Sequence, residues 1–220
     1  MSHAPRTGAD NDRWYLPFAP KGGAWAVEVT DEIDGWQHTS LRVAVLAPGA
    51  SVGHRLEGQE ALVVPLVGGV SVTADGAEHV LAGRPSVFAG PTDVLYAPSG
   101  TALELTNSGD AEARVAVCGA RVDDPSGGGR EVAVLGADEV PVEQRGAGAC
   151  RREVRGLGML DTLPGAEQIL VCEVVTPAAG WSSYPPHKHD TDRPGQESEL
   201  EEIYYFETQS VGDVDAGRAP

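Results

Sequence analysis

Short apolar runs, broken every few residues by Gly, Pro, Asp or Asn, constrain this chain more than any other feature. A helix needs apolar residues recurring every three or four positions, and that periodicity is almost absent. Runs rich in Val, Leu and Ile separated by turn residues predict an all-β sandwich or barrel. The predicted strands of the first half are Ala24–Thr30, Leu41–Leu46, Ala61–Val67, Val70–Ala74, Val80–Leu81, Ser86–Phe88, Val94–Ala97, Ala102–Thr106 and Ala113–Val122. Pro48-Gly49, Gly68-Gly69, Asp75-Gly76, Gly90-Pro91, Ser99-Gly100 and Ser108-Gly109-Asp110 punctuate them. Asp75-Gly76 reads as a hairpin turn, since glycine accepts the positive φ such turns require.

The polar, glycine-rich stretch Asp123–Arg130 (DDPSGGGR) reads as a linker between a unit over 14–122 and a second over 131–220. In the second unit the β pattern restarts with Glu131–Leu135. A patch rich in glycine and arginine follows from Gln144 to Gly158, then strands are expected at Gln168–Thr176 and Ile203–Thr208. Apolar residues make up 41% of the chain, enough for a packed core, while no segment reaches the roughly 20 apolar residues of a membrane span. The opening MSHAPRTGADNDR has no apolar core of a secretory signal; Ser2–Arg13 is expected to be a loose tail and the setting cytoplasmic.

The net charge of −17, from 33 acidic and 16 basic residues, opposes binding to nucleic-acid backbones and requires local cations for any anionic ligand. Cys118, Cys150 and Cys172 are too few and too dispersed for a disulfide framework or a cysteine-based zinc site. Cys118 and Cys172, inside apolar runs, are expected in the core.

Chemistry concentrates in one stretch, GWSSYPPHKHDTDRPGQESELEEIYYF, from Gly180 to Phe206. On a strand, positions i and i+2 share a face, so His187 and His189 can aim both rings at one point. Glu202, opening the next apolar run, can reach that point across a hairpin. Two imidazoles and a carboxylate are a common ligand set for a catalytic divalent metal, and zinc and manganese both suit these donors. The alternative is two exposed histidines beside a solvated acidic loop. Lys188, between the two histidines, should point to the opposite side.

The two halves repeat one plan. In the first, Pro48-Gly49, His54, Glu60 and Gly68 precede Pro98-Ser99-Gly100-Thr101-Ala102-Leu103 and Asn107. This resembles the cupin superfamily, with its motifs G-x5-H-x-H-x3-4-E-x6-G and P-x-G-x2-H-x3-N. Leu56 and Leu103 stand where two metal-binding histidines belong, so the first cupin should be empty and His54 and Glu60 structural or surface groups. In the second half Gly180, His187, His189 and Glu202 supply the first motif with its donors intact.

The fuller match, WSSYPPHKHD followed by ESELEEIYYF, is similar to the 5-deoxy-glucuronate isomerase family of myo-inositol catabolism. That resemblance implies an all-β bicupin of two jelly-roll barrels that converts 5-deoxy-glucuronate to 5-dehydro-2-deoxy-gluconate. His187, His189 and Glu202 would hold the metal, and copies of the chain would associate. The family's fourth ligand, a histidine on a later strand, has no counterpart here, so the second cupin is expected to be truncated. The isomerisation that the resemblance implies proceeds through an enediolate, whose charge a divalent metal would stabilise. For that reaction Glu199 and Glu201 are the nearby candidates for a proton-transfer base, although Glu201 should face away from Glu202 on a strand. Arg152, backed by Arg151 and Arg155, is the candidate for pairing with the substrate carboxylate. A catalytically inactive module for binding or oligomerisation is the competing expectation, and a cupin dioxygenase using Fe(II) is a third.

Overall fold

The computed structural model describes residues 15, 16, 18, 23, 25–33, 35–159, 162, 163 and 165–210. The expected tail at Ser2–Arg13 lies outside them. Strands dominate: β1 (Trp25–Val29), β2 (Thr39–Leu46), β3 (Ser51–Arg55), β4 (Gln59–Ala74), β5 (Ala77–Arg84), β6 (Val94–Ala97), β7 (Ala102–Thr106), β8 (Ala113–Arg121), β9 (Ala133–Leu135), β10 (Val142–Arg145), β11 (Arg152–Gly158) and β12 (Val171–Val175). The first nine join one sheet, and β10-β11-β12 form a second of three strands. Every ladder is antiparallel.

β4 organises the first barrel. Its first part pairs with β8 and β6, and its second part with β5 and β7. Gly68-Gly69, expected to separate two strands, is instead the corner where one strand changes partners. Gly68 has φ +72°, and a Cβ at Gly69 would sit 2.6 Å from the Ala82 carbonyl oxygen, so neither position tolerates a side chain there. The turn at Asp75-Gly76 is as expected, with φ of 47° and 86° joining Ala74 to its partner Ala77. The predicted strand Ser86–Phe88 is replaced by a 3₁₀ turn over Val87–Ala89.

The unbroken apolar runs have a physical cause. Alternate residues of β4, β6 and β8 face two different cores, so both sides of the sheet are buried. Val63, Leu95, Val115 and Val117 point into the barrel with Leu56, Leu103 and Leu105. Leu62, Val64, Tyr96 and Ala116 point the other way, onto Leu135, Leu157, Leu163 and Ile169 from the second half. Ala133–Leu135, assigned by pattern to the second unit, pairs with β6 and so belongs to the first sheet. The loop before it is tied down: Arg130 meets Glu167 at 2.7 Å, and Ser99 Oγ donates to the Pro125 carbonyl.

The signature turn of the first half is structural. Gly100 adopts φ +91°. Asn107 is fully buried, donates through Nδ2 to the carbonyls of Leu46 and Ala111, and accepts from the Gly109 amide. Cys118 packs against the core between the halves, and burial, then the Glu173 charge, pushes its thiol up to about 12. Cys172, expected in the core, is exposed, because it sits on the outward side of β12.

Candidate functional site

Leu56 and Leu103, at the ligand positions of the first half, are 1% and 3% exposed inside the barrel core. Neither side chain offers a donor to a metal. His54 is half-buried, edge-on to Trp25 at 6.0 Å and 3.4 Å from Arg42 Nη1. Desolvation by burial, then the Arg42 charge, lowers its pKa. Glu60 has become a latch: buried at 1% exposure, its carboxylate accepts from Tyr96 Oη at 2.8 Å and from the amides of Glu167, Gln168 and Ile169 at 2.6–3.0 Å. A carboxylate without water needs such donors, and three successive amides form a concave anion cradle. Burial, then the bond to Glu60, raises the Tyr96 pKa, so its hydroxyl stays a donor.

A second carboxylate reaches back in the opposite direction. Glu201 accepts from the amides of Gln37, His38 and Thr39 at 2.6–2.9 Å and from the Thr39 hydroxyl at 3.2 Å. Burial alone would push its pKa up, but bonds from Thr39, Gln37 and His38 hold it below the ordinary value. Beyond it, residues 201–208 are extended and alternate in burial. Ile203 and Tyr205 join the core between the halves, and Glu207 pairs with Arg114 at 2.9 Å. Glu202, Tyr204 and Phe206 face outward. The predicted strand Ile203–Thr208 thus has the alternation of a strand but no ladder partner among the described residues. Tyr204 Oη lies 3.3 Å from the Glu202 carboxylate, and its ring stacks on Phe206 at 6.0 Å.

The two histidines sit in a loop rather than on a strand. Gly180 and Trp181 start it, donating to the carbonyls of Pro177 and Ala149, and the Tyr184–Pro185 peptide is cis. His187 Nδ1 is 3.2 Å from the Pro185 carbonyl oxygen, and His189 Nδ1 is 3.1 Å from that of Ser198. His187 Nδ1 is also 3.3 Å from Ser183 Oγ. A carbonyl only accepts, so a hydrogen bond to it requires the proton on Nδ1, and a neutral ring so bonded keeps its lone pair on Nε2. The rings stand 5.2 Å apart and perpendicular. The Leu200 amide donates to the His189 carbonyl at 3.0 Å, and the two arms running back from that tie lead to His187 and Glu202. Lys188 is engaged by Asp190 and by Glu197, and Glu199 is exposed.

These positions test the expected metal set. Among the described residues, no three His, Cys, Asp or Glu side chains come close enough to hold a metal ion. Glu202 is not gathered with the two imidazoles. Two donors fall short of the three or four of a divalent site, so the donor set as placed does not fit the ion.

The arginines divide between the two faces of the second sheet. Arg155, 3% exposed, faces the first barrel, where with Arg84 it clasps Glu173 and donates to the carbonyls of Val87 and Gly90. Arg152 is on the opposite, outward face, directly across the ladder from Arg145. Sequence reading missed Arg145, because Val142-Glu143-Gln144-Arg145 carries too little apolar alternation to announce a strand.

This nine-stranded antiparallel barrel with a second sheet packed on it is a cupin fold, and the KduI/IolB family model matches residues 15–212. The chain belongs to the KduI/IolB family. It is similar to the 5-deoxy-glucuronate isomerase of Bacillus subtilis (strain 168), 37% identical over 182 residues that cover 82% of this chain and 65% of that protein. To the 5-deoxy-glucuronate isomerase of Geobacillus kaustophilus (strain HTA426) it is 39% identical over 181 residues, covering 81% and 63%. The chain therefore spans just under two thirds of these relatives. Among solved structures, an IolB-like protein from Salmonella typhimurium LT2 superposes with a TM-score of 0.74 at 29% identity, covering 83% of this chain and 67% of that one.

Proposed function

We propose that this chain serves the aldose–ketose isomerisation of 5-deoxy-glucuronate to 5-dehydro-2-deoxy-gluconate in inositol catabolism. The observation that carries the reading is the histidine pair, each Nδ1 within 3.2 Å of a backbone carbonyl, in a chain 37% identical to a protein named for that reaction. Tyr204 adds a phenol beside Glu202. Burial, then the Glu202 charge, raises its pKa, so it remains a donor able to bind a sugar oxygen. Zinc or manganese was the expected electrophile, but with Glu202 held apart from the imidazoles no step is assigned to it.

The test is turnover. Purified chain is incubated with 5-deoxy-glucuronate, with and without added Zn²⁺ or Mn²⁺, and the ketose is followed by NMR. Turnover lost in His187→Ala and in Glu202→Gln supports the isomerase.

A second reading, a non-catalytic module for binding or association, is favoured by the split donor set and the filled first barrel. An inactive wild-type chain under all metal conditions would select it. Association between copies belongs to either reading, since β10 and β12 are sheet edges and Tyr204 and Phe206 are 61% and 76% exposed beside them. A cytoplasmic setting goes with the free cysteines.

A further inference from the structure

Two guanidinium groups stand abreast on the outward face of the second sheet. Arg145 on β10 and Arg152 on β11 are direct partners in an antiparallel register, so their side chains leave the same face. A Cβ on Gly146 would sit 3.2 Å from Arg152 Nη1, which places the Arg152 guanidinium over the end of β10. The same register fixes the neighbours. Val154 pairs with Val174, so Cys172, two residues before Val174, shares this face, while Arg155 and Glu173 take the other. Cys172 is exposed on this face.

Like charges set directly across a ladder repel. Elsewhere in this chain buried arginines meet carboxylates, as Arg84 and Arg155 do at Glu173. Here the charges do not balance. Arg152 donates to the Cys150 carbonyl at 3.0 Å and has no carboxylate partner among the described residues. Arg145 has Glu143 alone, through Nε at 2.8 Å, and both of those side chains are about half exposed. Along this ladder two guanidiniums meet one carboxylate, on a chain whose net charge is −17. A monoanion with a planar fork of acceptors relieves the repulsion and matches guanidinium geometry.

We infer that Arg145 and Arg152 form a binding site for the carboxylate of a small organic acid. On the isomerase reading above, on which this identification of the ligand rests, that group is the acid end of the sugar.

The experiment titrates the purified chain with sodium D-glucuronate and, separately, with neutral D-glucose at low ionic strength, followed by saturation-transfer NMR. Saturable glucuronate binding, with none for glucose, is expected. Arg145→Gln and Arg152→Gln should each weaken it on the order of tenfold, and Arg152→Lys should weaken it too, because lysine keeps the charge and loses the fork. Glu143→Gln should tighten it by freeing Arg145 Nε. Glu143 and Arg145 are exposed and Arg152 is partly exposed, and a thermal melt of each variant checks the fold. No saturable glucuronate binding to the wild-type chain, equal binding of glucose, or affinity unmoved by both glutamine substitutions would overturn the site. Glucuronate binding in a chain without isomerase activity removes the isomerase and leaves this site. An active isomerase whose KM is unmoved by Arg145→Gln and Arg152→Gln removes this site and leaves the isomerase.

Discussion

The first barrel and the stretch that follows the second sheet carry the same motif positions with opposite outcomes. In the barrel, Leu56 and Leu103 fill the interior where donors would sit, and Glu60 is turned outward to clasp residues 167–169. In the later stretch the donors survive, but Glu202, Tyr204 and Phe206 face solvent. One region has exchanged chemistry for packing, and the other has kept the chemistry with little packing over it. The two carboxylates nearest the motif glutamates tell the same story from both sides. Glu60 reaches from the first half into amides of the second, and Glu201 reaches from the second into amides of the first.

The sharpest way to break that contrast is Glu60→Ala. It strands the Tyr96 hydroxyl and the amides of residues 167–169 without an acceptor, at a cost of about 3–5 kcal/mol, to be read as a lower urea midpoint. A loss below about 1 kcal/mol would mean that water replaces the latch. Leu103→Ala, in the filled barrel, should cost about 3 kcal/mol by opening a cavity. Phe206→Ala, in the stretch after the second sheet, should change stability by no more than about 0.5 kcal/mol, as for surface positions free of special roles. A Phe206 loss equal to that of Leu103 would show the outward face to be covered in solution.

The smallest effect is at His54, and it is a dependence on pH. Its folded pKa lies below the ordinary 6.5, so the unfolded chain takes up the proton first. Its contribution is present above 6.5 and is lost as pH falls from there through the folded value. His54→Gln should flatten that part of the stability profile, measured by denaturant midpoints across pH 5 to 8.

The strands of the barrel were legible because both of their faces are buried, which leaves continuous apolar runs such as Ala61–Val67. What misled was local. Gly68-Gly69 looks like a turn and is a bend within one strand, because glycine serves either use. β3 and β10 were not legible, since Ser51–Arg55 and Val142–Arg145 carry polar residues on partly exposed faces. At the site, His187, His189 and Glu202 could be picked out by residue type and spacing. The roles of Glu60 and Glu201 could not, because their amide partners stand 107 to 109 and 162 to 164 positions away. A backbone N–H looks the same at every position, so only tertiary structure reveals which ones form a cradle.

The pairing of β9 with β6 has a consequence for how the molecule is made and how it can be divided. A growing chain that has emerged only as far as Arg121 can close most of the first sheet, yet β6 still shows a bare edge. The edge stays bare until Ala133–Leu135 arrives from beyond the glycine loop. Synthesis order therefore leaves an interval in which β6 can recruit a strand from another nascent copy. Cutting the gene at Asp123–Arg130, the obvious place to separate two units, would make that interval permanent.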